Sequence, residues 1–143
     1  MSAHAVLKQI TERFAPVIQR TDVPEDGRLF VYVEPQAVRE ICRYVFRDLD
    51  ARYVISIGLD DRPISGKFLV AHDFAFDGQH VMCSILSYLH GNPPRVDSIA
   101  DVVPAANWAE REFRDLVGIE PVGHPYPKRL VLPDGWPDGV HPL

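Results

Sequence analysis

The sequence predicts an α+β fold: an antiparallel or mixed sheet of about five strands with two helices on one face, then a C-terminal helix and an extended, proline-rich arm. Three observations carry this expectation. Two segments with helical periodicity precede the central strands, and those strands follow one another through short turns rather than crossover helices. The last 23 residues include six prolines, which fix φ and remove backbone donors, so neither a long helix nor a central strand is expected there. A length of 143 residues sets one domain, read as an α+β body over 1–103 with the helix and arm of 104–143 belonging to the same domain. With 46% hydrophobic and 24% charged residues, the balance is that of a chain able to fold.

In order along the sequence, Ala5, Val6, Ile10 and Phe14 lie close to helical spacing, and Pro16 closes that opening helix. "VIQRTDV" and "RLFVYVE" flank the turn "PEDG" and predict a hairpin. "PQAVREICRYVFRDLD" starts with Pro35 at a favoured first helical position, and Val38, Ile41, Cys42, Val45, Phe46 and Leu49 trace one stripe. "RYVISIGLD", "GKFLVAHDFAF" and "HVMCSILSYL" follow as strands separated by "DRPIS" and "DGQ", spacings suited to antiparallel hairpins. "HGNPPRVDS" reads as a linker, and Ser98 with Asp101 has the spacing of a capping box opening a short helical turn. Pro104 then starts "PAANWAEREFRDLVG", a helix closed by Gly118 at a C-cap position.

The net charge of −5 works against broad attraction to nucleic acid or anionic lipid, so neither is an expected partner. Cys42 and Cys83 sit in apolar stretches without the close pairing of a metal or redox motif and read as buried free thiols. No apolar run approaches the ~18 residues of a membrane span, and the polar start lacks a signal peptide's apolar region, so a cytoplasmic location is expected. The six histidines form no HExxH or HxH pattern, and the serine elbow, phosphate loop, dinucleotide fingerprint and iron–sulfur cysteine series are all missing from the sequence. These patterns favour a binding module over an enzyme.

Advancing about 100° per residue along the last helix places Ala105, Trp108, Ala109, Leu116 and Phe113 on one face, with Glu112 in its middle. A carboxylate there is neutral, meets a cation or several donors, or else reaches solvent. Arg111, His124, Lys128 and Arg129 are candidates, and the preferred reading is a clamp in which an arginine or histidine of the arm folds back onto the helix. Glu110 with Arg114 reads as a surface i,i+4 pair worth a few tenths of a kcal/mol. Trp136, in "GWPDG", reads as an anchor for a protein partner. A metal-assisted enzyme using His124 with Glu110 or Glu112, and a homodimer exchanging its arm, are the alternatives.

From Glu110 onward the sequence resembles the 30 kDa subunit family of respiratory complex I and its relatives, the membrane-bound energy-converting hydrogenases. The resemblance rests on Glu110, Arg111 and Glu112, then Asp115, Leu116 and Val117, then His124 nine positions after the acid, Lys128, and the apolar pair Leu130 and Val131. "VPAANWAERE" and "RLVLPDGWPDGVHPL" are similar in particular to the corresponding domain at the front of formate-hydrogenlyase-type large subunits. The resemblance implies that Glu110, Arg111, Glu112, Asp115, Gly118, Gly123, His124, Pro125, Lys128 and Arg129 form the family signature and structural clamp. Leu130, Leu132, Pro133, Trp136 and Pro142 would then contact a partner. It further implies a non-catalytic subunit that holds no cofactor of its own, in an NADH:quinone oxidoreductase or hydrogenase complex carrying iron–sulfur clusters with flavin or nickel–iron. Its implied partners are the large subunit, quinone-reducing or of hydrogenase type, and neighbouring iron–sulfur subunits, at the cytoplasmic face of the inner membrane. Relatives run on from this Pro-Leu into Arg-Lys-Asp, whereas the sequence stops at Leu143, so a free-standing subunit or a domain cut from a longer protein is expected.

Overall fold

The computed structural model describes residues 2–143. Helix α1 (Ala3–Phe14) starts where the Ser2 hydroxyl accepts from the Ala5 amide at 3.3 Å, and it buries Ala3, Val6 and Ile10. A tight turn over Ala15–Val17 carries Pro16 and leads into the antiparallel hairpin of β1 (Ile18–Glu25) and β2 (Arg28–Val33). Period-two alternation is plain in β2: Leu29, Val31 and Val33 are buried and Arg28, Phe30 and Tyr32 are half-exposed. After Pro35–Ala37, helix α2 (Val38–Arg43) buries Val38, Ile41 and Cys42 and widens into a π turn over Tyr44–Asp48. The Leu49 amide reaches back five residues to the Tyr44 carbonyl at 3.0 Å. That extra residue keeps Val45 inward and leaves Phe46 and Leu49 at the margin of the core.

Strands β3 (Arg52–Asp60), β4 (Phe68–Phe76) and β5 (Val81–Leu89) form two antiparallel pairs, with one helical turn, α3 (Arg62–Ser65), between the first two. The β5 strand then lies parallel to β2, giving a mixed sheet of order β1-β2-β5-β4-β3. α2 and the strands after it thus form the long connection that a parallel pairing requires. The helices and the last segments cover one face, where Leu29, Ile41, Phe74, Ile85 and Ile99 are wholly buried. Burying each such side group contributes roughly 1.5–3 kcal/mol relative to exposure. A line of polar groups crosses this face: the Tyr53 hydroxyl meets Ser56 Oγ at 2.8 Å, which meets His72 Nδ1 at 2.6 Å. On the other face Ile55, Ile57 and Leu59 are exposed.

Two local expectations change. Ser98 does open a helical turn, in which the Val102 and Val103 amides reach the Ile99 carbonyl and the Ser98 hydroxyl accepts from the Ala100 amide. Asp101, however, closes no capping box: the Ser98 amide goes to the Val122 carbonyl and its hydroxyl donates to Glu110. Part of the expected linker forms β6 (Arg95–Asp97), which pairs in parallel with β7 (Glu120–Val122), centred on Val96 and Pro121. Between them the backbone turns through Pro104–Ala106 into α4 (Asn107–Val117), ended by Gly118 in the left-handed region at φ +86°. Gly58 lets α4 approach β3, because a Cβ there would lie 2.5 Å from Phe113 Cβ.

Candidate functional site

The site is the helix α4 and what it grips. Its buried residues are Glu110, Arg111, Phe113, Asp115 and Val117, while Trp108 is 68% exposed and Glu112 faces solvent. The buried stripe is therefore rotated by roughly 100°, one residue position, from the face expected on apolar content. Two expectations fall with it. Glu112 is not the clamp carboxylate, since it has no hydrogen bond or ion pair among the described residues, and Glu110 is no surface partner of Arg114. The charged residues on the buried side are tolerated because each finds backbone groups to satisfy it.

Glu110 is fully buried and fastens α4 to the segment after β6. Its Oε1 takes the Ser98 hydroxyl at 2.6 Å and its Oε2 the Ile99 amide at 3.0 Å. Burial pushes this carboxyl up to about 7; the Ser98, Ile99 and Ala100 donors pull the other way, and Asp101 adds to the rise. His124 Nε2 is 4.0 Å from Glu110 Oε1 but donates to the Asn107 carbonyl at 3.0 Å, while Nδ1 accepts from the Tyr126 amide at 2.9 Å. The ring is thus the Nε2–H tautomer, with both nitrogens committed to backbone groups.

Arg111 and Asp115, one helical turn apart, hold the arm by its backbone. Arg111 Nε donates to the Lys128 carbonyl at 2.8 Å and Nη2 to the Arg129 carbonyl at 2.9 Å. Asp115 Oδ2 accepts from the amides of Leu130, Val131 and Leu132 at 2.8, 2.8 and 3.1 Å. Side chains of opposite charge thus take carbonyls and amides from five consecutive residues of the arm, an arrangement akin to a backbone nest around an anion. Burial raises the Asp115 carboxyl, but the three amide donors outweigh it, with help from Arg114, and hold it below the usual carboxylate value. Arg114 Nη1 adds a bond to the Pro127 carbonyl at 2.8 Å, and the Arg111 guanidinium lies 5.0 Å from the Tyr126 ring centre.

Beyond Leu132 the arm bends instead of running extended. Arg129 Nη1 gathers the carbonyls of Pro133 and Asp134, its Nη2 takes Asp138, and Trp136 Nε1 donates to the Val140 carbonyl at 2.7 Å. The arm then returns to the end of α4, where His141 Nδ1 donates to the Asp115 carbonyl and the Leu143 amide to the Leu116 carbonyl, both at 2.9 Å. These are carbonyls that a helix C-terminus otherwise leaves unpaired. Of the expected contact residues, Pro133 and Pro142 are exposed and Leu130, Leu132 and Trp136 are half-buried; Gly123, Pro125 and Lys128 are exposed on the approach. Because the grip is on backbone, the arm's side chains are left available: Val131 and Val140 are about half-exposed and Leu143 is 73% exposed.

No group of three or more His, Cys, Asp or Glu side chains is placed to hold a metal ion among the described residues. Of the metal-assisted arrangement of His124 with Glu110 or Glu112, the structure brings Glu110 to 4.0 Å from His124, but both ring nitrogens are taken by backbone groups and Glu112 is exposed. Cys42 and Cys83 are buried free thiols, and burial raises both, Cys83 to about 12. No helix is long and apolar enough to cross a membrane among the described residues.

Comparison with known proteins fits this geometry. The family model described as respiratory-chain NADH dehydrogenase, 30 Kd subunit, matches residues 31–143. Formate hydrogenlyase subunit 5 of Escherichia coli is 31% identical over 96% of this chain, which spans 24% of that protein's length. The membrane-bound hydrogenase subunit beta of Pyrococcus furiosus is 29% identical over 99% of this chain and 83% of its own length. Among solved structures, a trypsin-resistant fragment of Nqo5 superposes with a TM-score of 0.70 at 22% identity, covering 86% of this chain and 97% of the fragment, and so shares the fold. The chain belongs to the 30 kDa subunit family of the respiratory-chain NADH dehydrogenase.

Proposed function

We propose that this member of the 30 kDa subunit family is a non-catalytic assembly subunit in the cytoplasmic arm of an NADH:quinone oxidoreductase or a related energy-converting hydrogenase. It packs on the quinone-reducing or nickel–iron large subunit, beside iron–sulfur subunits, and reaches the membrane only through that complex. On this reading the protein holds no cofactor; clusters, with flavin or nickel–iron, belong to its partners. The observation that carries the proposal is the clamp: Arg111 and Asp115 fix the arm through its backbone and leave Val131, Val140, Leu143 and the prolines facing outward. A segment already ordered loses less entropy when a partner closes over it. The relatives support the same reading, since they are named as subunits of formate hydrogenlyase and of a membrane-bound hydrogenase.

The test separates assembly from turnover. Cells lacking the protein are complemented with Leu132→Asp or Trp136→Ala, and the amount of assembled complex is measured together with activity per assembled complex. The proposal expects less complex with unchanged activity in what assembles. Normal assembly with reduced turnover would place the protein in the chemistry and overturn it.

A further inference from the structure

Alternation along the strands puts Ile55, Ile57 and Leu59 on the face of the sheet opposite the helices, each 44–48% exposed. Across the sheet, Ile57 stands in register with Ala71, which pairs with Leu86, and Leu59 with Leu69, which pairs with Tyr88. With strands about 4.8 Å apart, β3, β4 and β5 make an apolar band roughly 10 Å wide, close to the diameter of a helix with its side chains. Ala71, the small residue in the middle, lowers the centre of the band between Ile57 and Leu86. Leu86 is only 6% exposed, so the open part of the band is Ile55, Ile57 and Leu59 with the half-buried Leu69 and Ala71, an apolar strip of the kind that marks an interaction site.

The margin toward β1 and β2 is cationic. The Arg20 guanidinium lies 3.9 Å from the Tyr32 ring centre, Arg28 lies 4.5 Å from Phe30, and the Lys67 ammonium lies 5.7 Å from Tyr88, whose ring stacks on Tyr32. Arg28 is turned into the sheet, its Nη2 donating to the Ser84 hydroxyl at 3.0 Å and its Nη1 buried, whereas Arg20 and Lys67 form no salt bridge among the described residues. By contrast, the cations at the two ends of β3 are already paired, Arg52 with Asp77 and Arg62 with Asp60. The nearby acids are Asp73, held by the Ser84 hydroxyl, and Asp22 and Glu25 on the edge strand β1.

We propose that this helix-free face is a second docking surface, distinct from the arm, for an amphipathic helix of a neighbouring subunit. That helix sets its apolar stripe on Ile57 and Leu59 and its carboxylates against Arg20 and Lys67. The inference rests on the assembly-subunit reading and adds a second contact to it.

The experiment places a photo-crosslinking benzoylphenylalanine at Ile57, or separately at Trp136, in the full-length protein within its complex, with products identified by mass spectrometry. The Ile57 probe is expected to label a helical segment of another subunit that carries acidic residues beside its apolar stripe. Arg20→Glu with Lys67→Glu should lower that yield about tenfold, an effect that weakens in high salt. The Trp136 probe should keep its yield in the same charge-reversed variant, which shows that the variant is folded and assembled. Labelling from Trp136 with none from Ile57 would overturn this inference and leave the assembly reading standing. Labelling of a second copy of this protein, or a yield indifferent to charge reversal, would also overturn it. Failure of both probes to label any other subunit would sink both readings.

Discussion

Replacing Asp115 with alanine removes the one oxygen that holds three consecutive amides of the arm, at 2.8, 2.8 and 3.1 Å. A hydrogen bond to a charged group contributes about 1.5–3 kcal/mol. The three share one acceptor and Val131 is about half-exposed, so water replaces part of the loss and the sum of three is not reached. Between one and two such bonds remains, about 3 kcal/mol, or roughly a hundredfold in the opening equilibrium of the arm. Asp115→Asn keeps an acceptor without its charge and should lose about half as much, roughly tenfold. The assay is hydrogen exchange of the amides of residues 130–132, which open locally rather than with the whole fold. The same amides should lose protection in acid. With the folded carboxyl below its unfolded value near 3.8, its contribution is present above that pH and lost as pH falls through the folded value. Exchange at 130–132 within threefold of the parent in Asp115→Ala would refute the clamp.

Three further outcomes follow from the geometry. Gly58→Val should destabilise by about 1–3 kcal/mol in urea unfolding, because its Cβ would overlap Phe113. Arg111→Lys keeps the charge but loses the fork that takes two carbonyls, so protection in the arm should fall about tenfold while the melting of the body changes little. Stability should show a plateau in pH set by two buried groups of opposite sense. Burial lowers His72 from 6.5 to about 3, so its contribution is present above pH 6.5 and lost as pH falls through that window, at most about 5 kcal/mol. Glu110, raised from 4.5 to about 7, contributes most below pH 4.5 and loses that as pH rises to 7, at most about 3 kcal/mol. Between pH 4.5 and 6.5 the slopes cancel. Urea midpoints should be flat there and fall on either side, and Glu110→Gln should abolish the fall above pH 6.5.

The strands were legible because period-two alternation is a local property: Leu29, Val31 and Val33 announce their face without reference to the rest of the sequence. The mixed order, with β5 parallel to β2, was left open between antiparallel and mixed because pairing across the α2 connection has no local mark. On α4 the apolar pattern misled. Trp108 is apolar yet 68% exposed, whereas Glu110, Arg111 and Asp115 are charged and buried. Their partners are the Ile99 amide, the Lys128 and Arg129 carbonyls and the amides after them, backbone groups that no residue type reveals. The arm does fold back onto the helix, but it is held through its backbone by Arg111 and Asp115 of the helix, where the expectation was an arginine or histidine of the arm on Glu112. Prolines told correctly that the arm forms no long helix, but Pro121 still sits in the three-residue β7, pairing only on one side with β6.

The assembly reading meets its sharpest test in the native mass of the material that purifies with the tagged full-length protein from cells making its complex. The expected result is a defined assembly with one copy of this protein per oxidoreductase or hydrogenase large subunit, in which the clusters and any flavin or nickel belong to other subunits. A lone polypeptide that binds metal stoichiometrically and turns over a substrate without partners would contradict it.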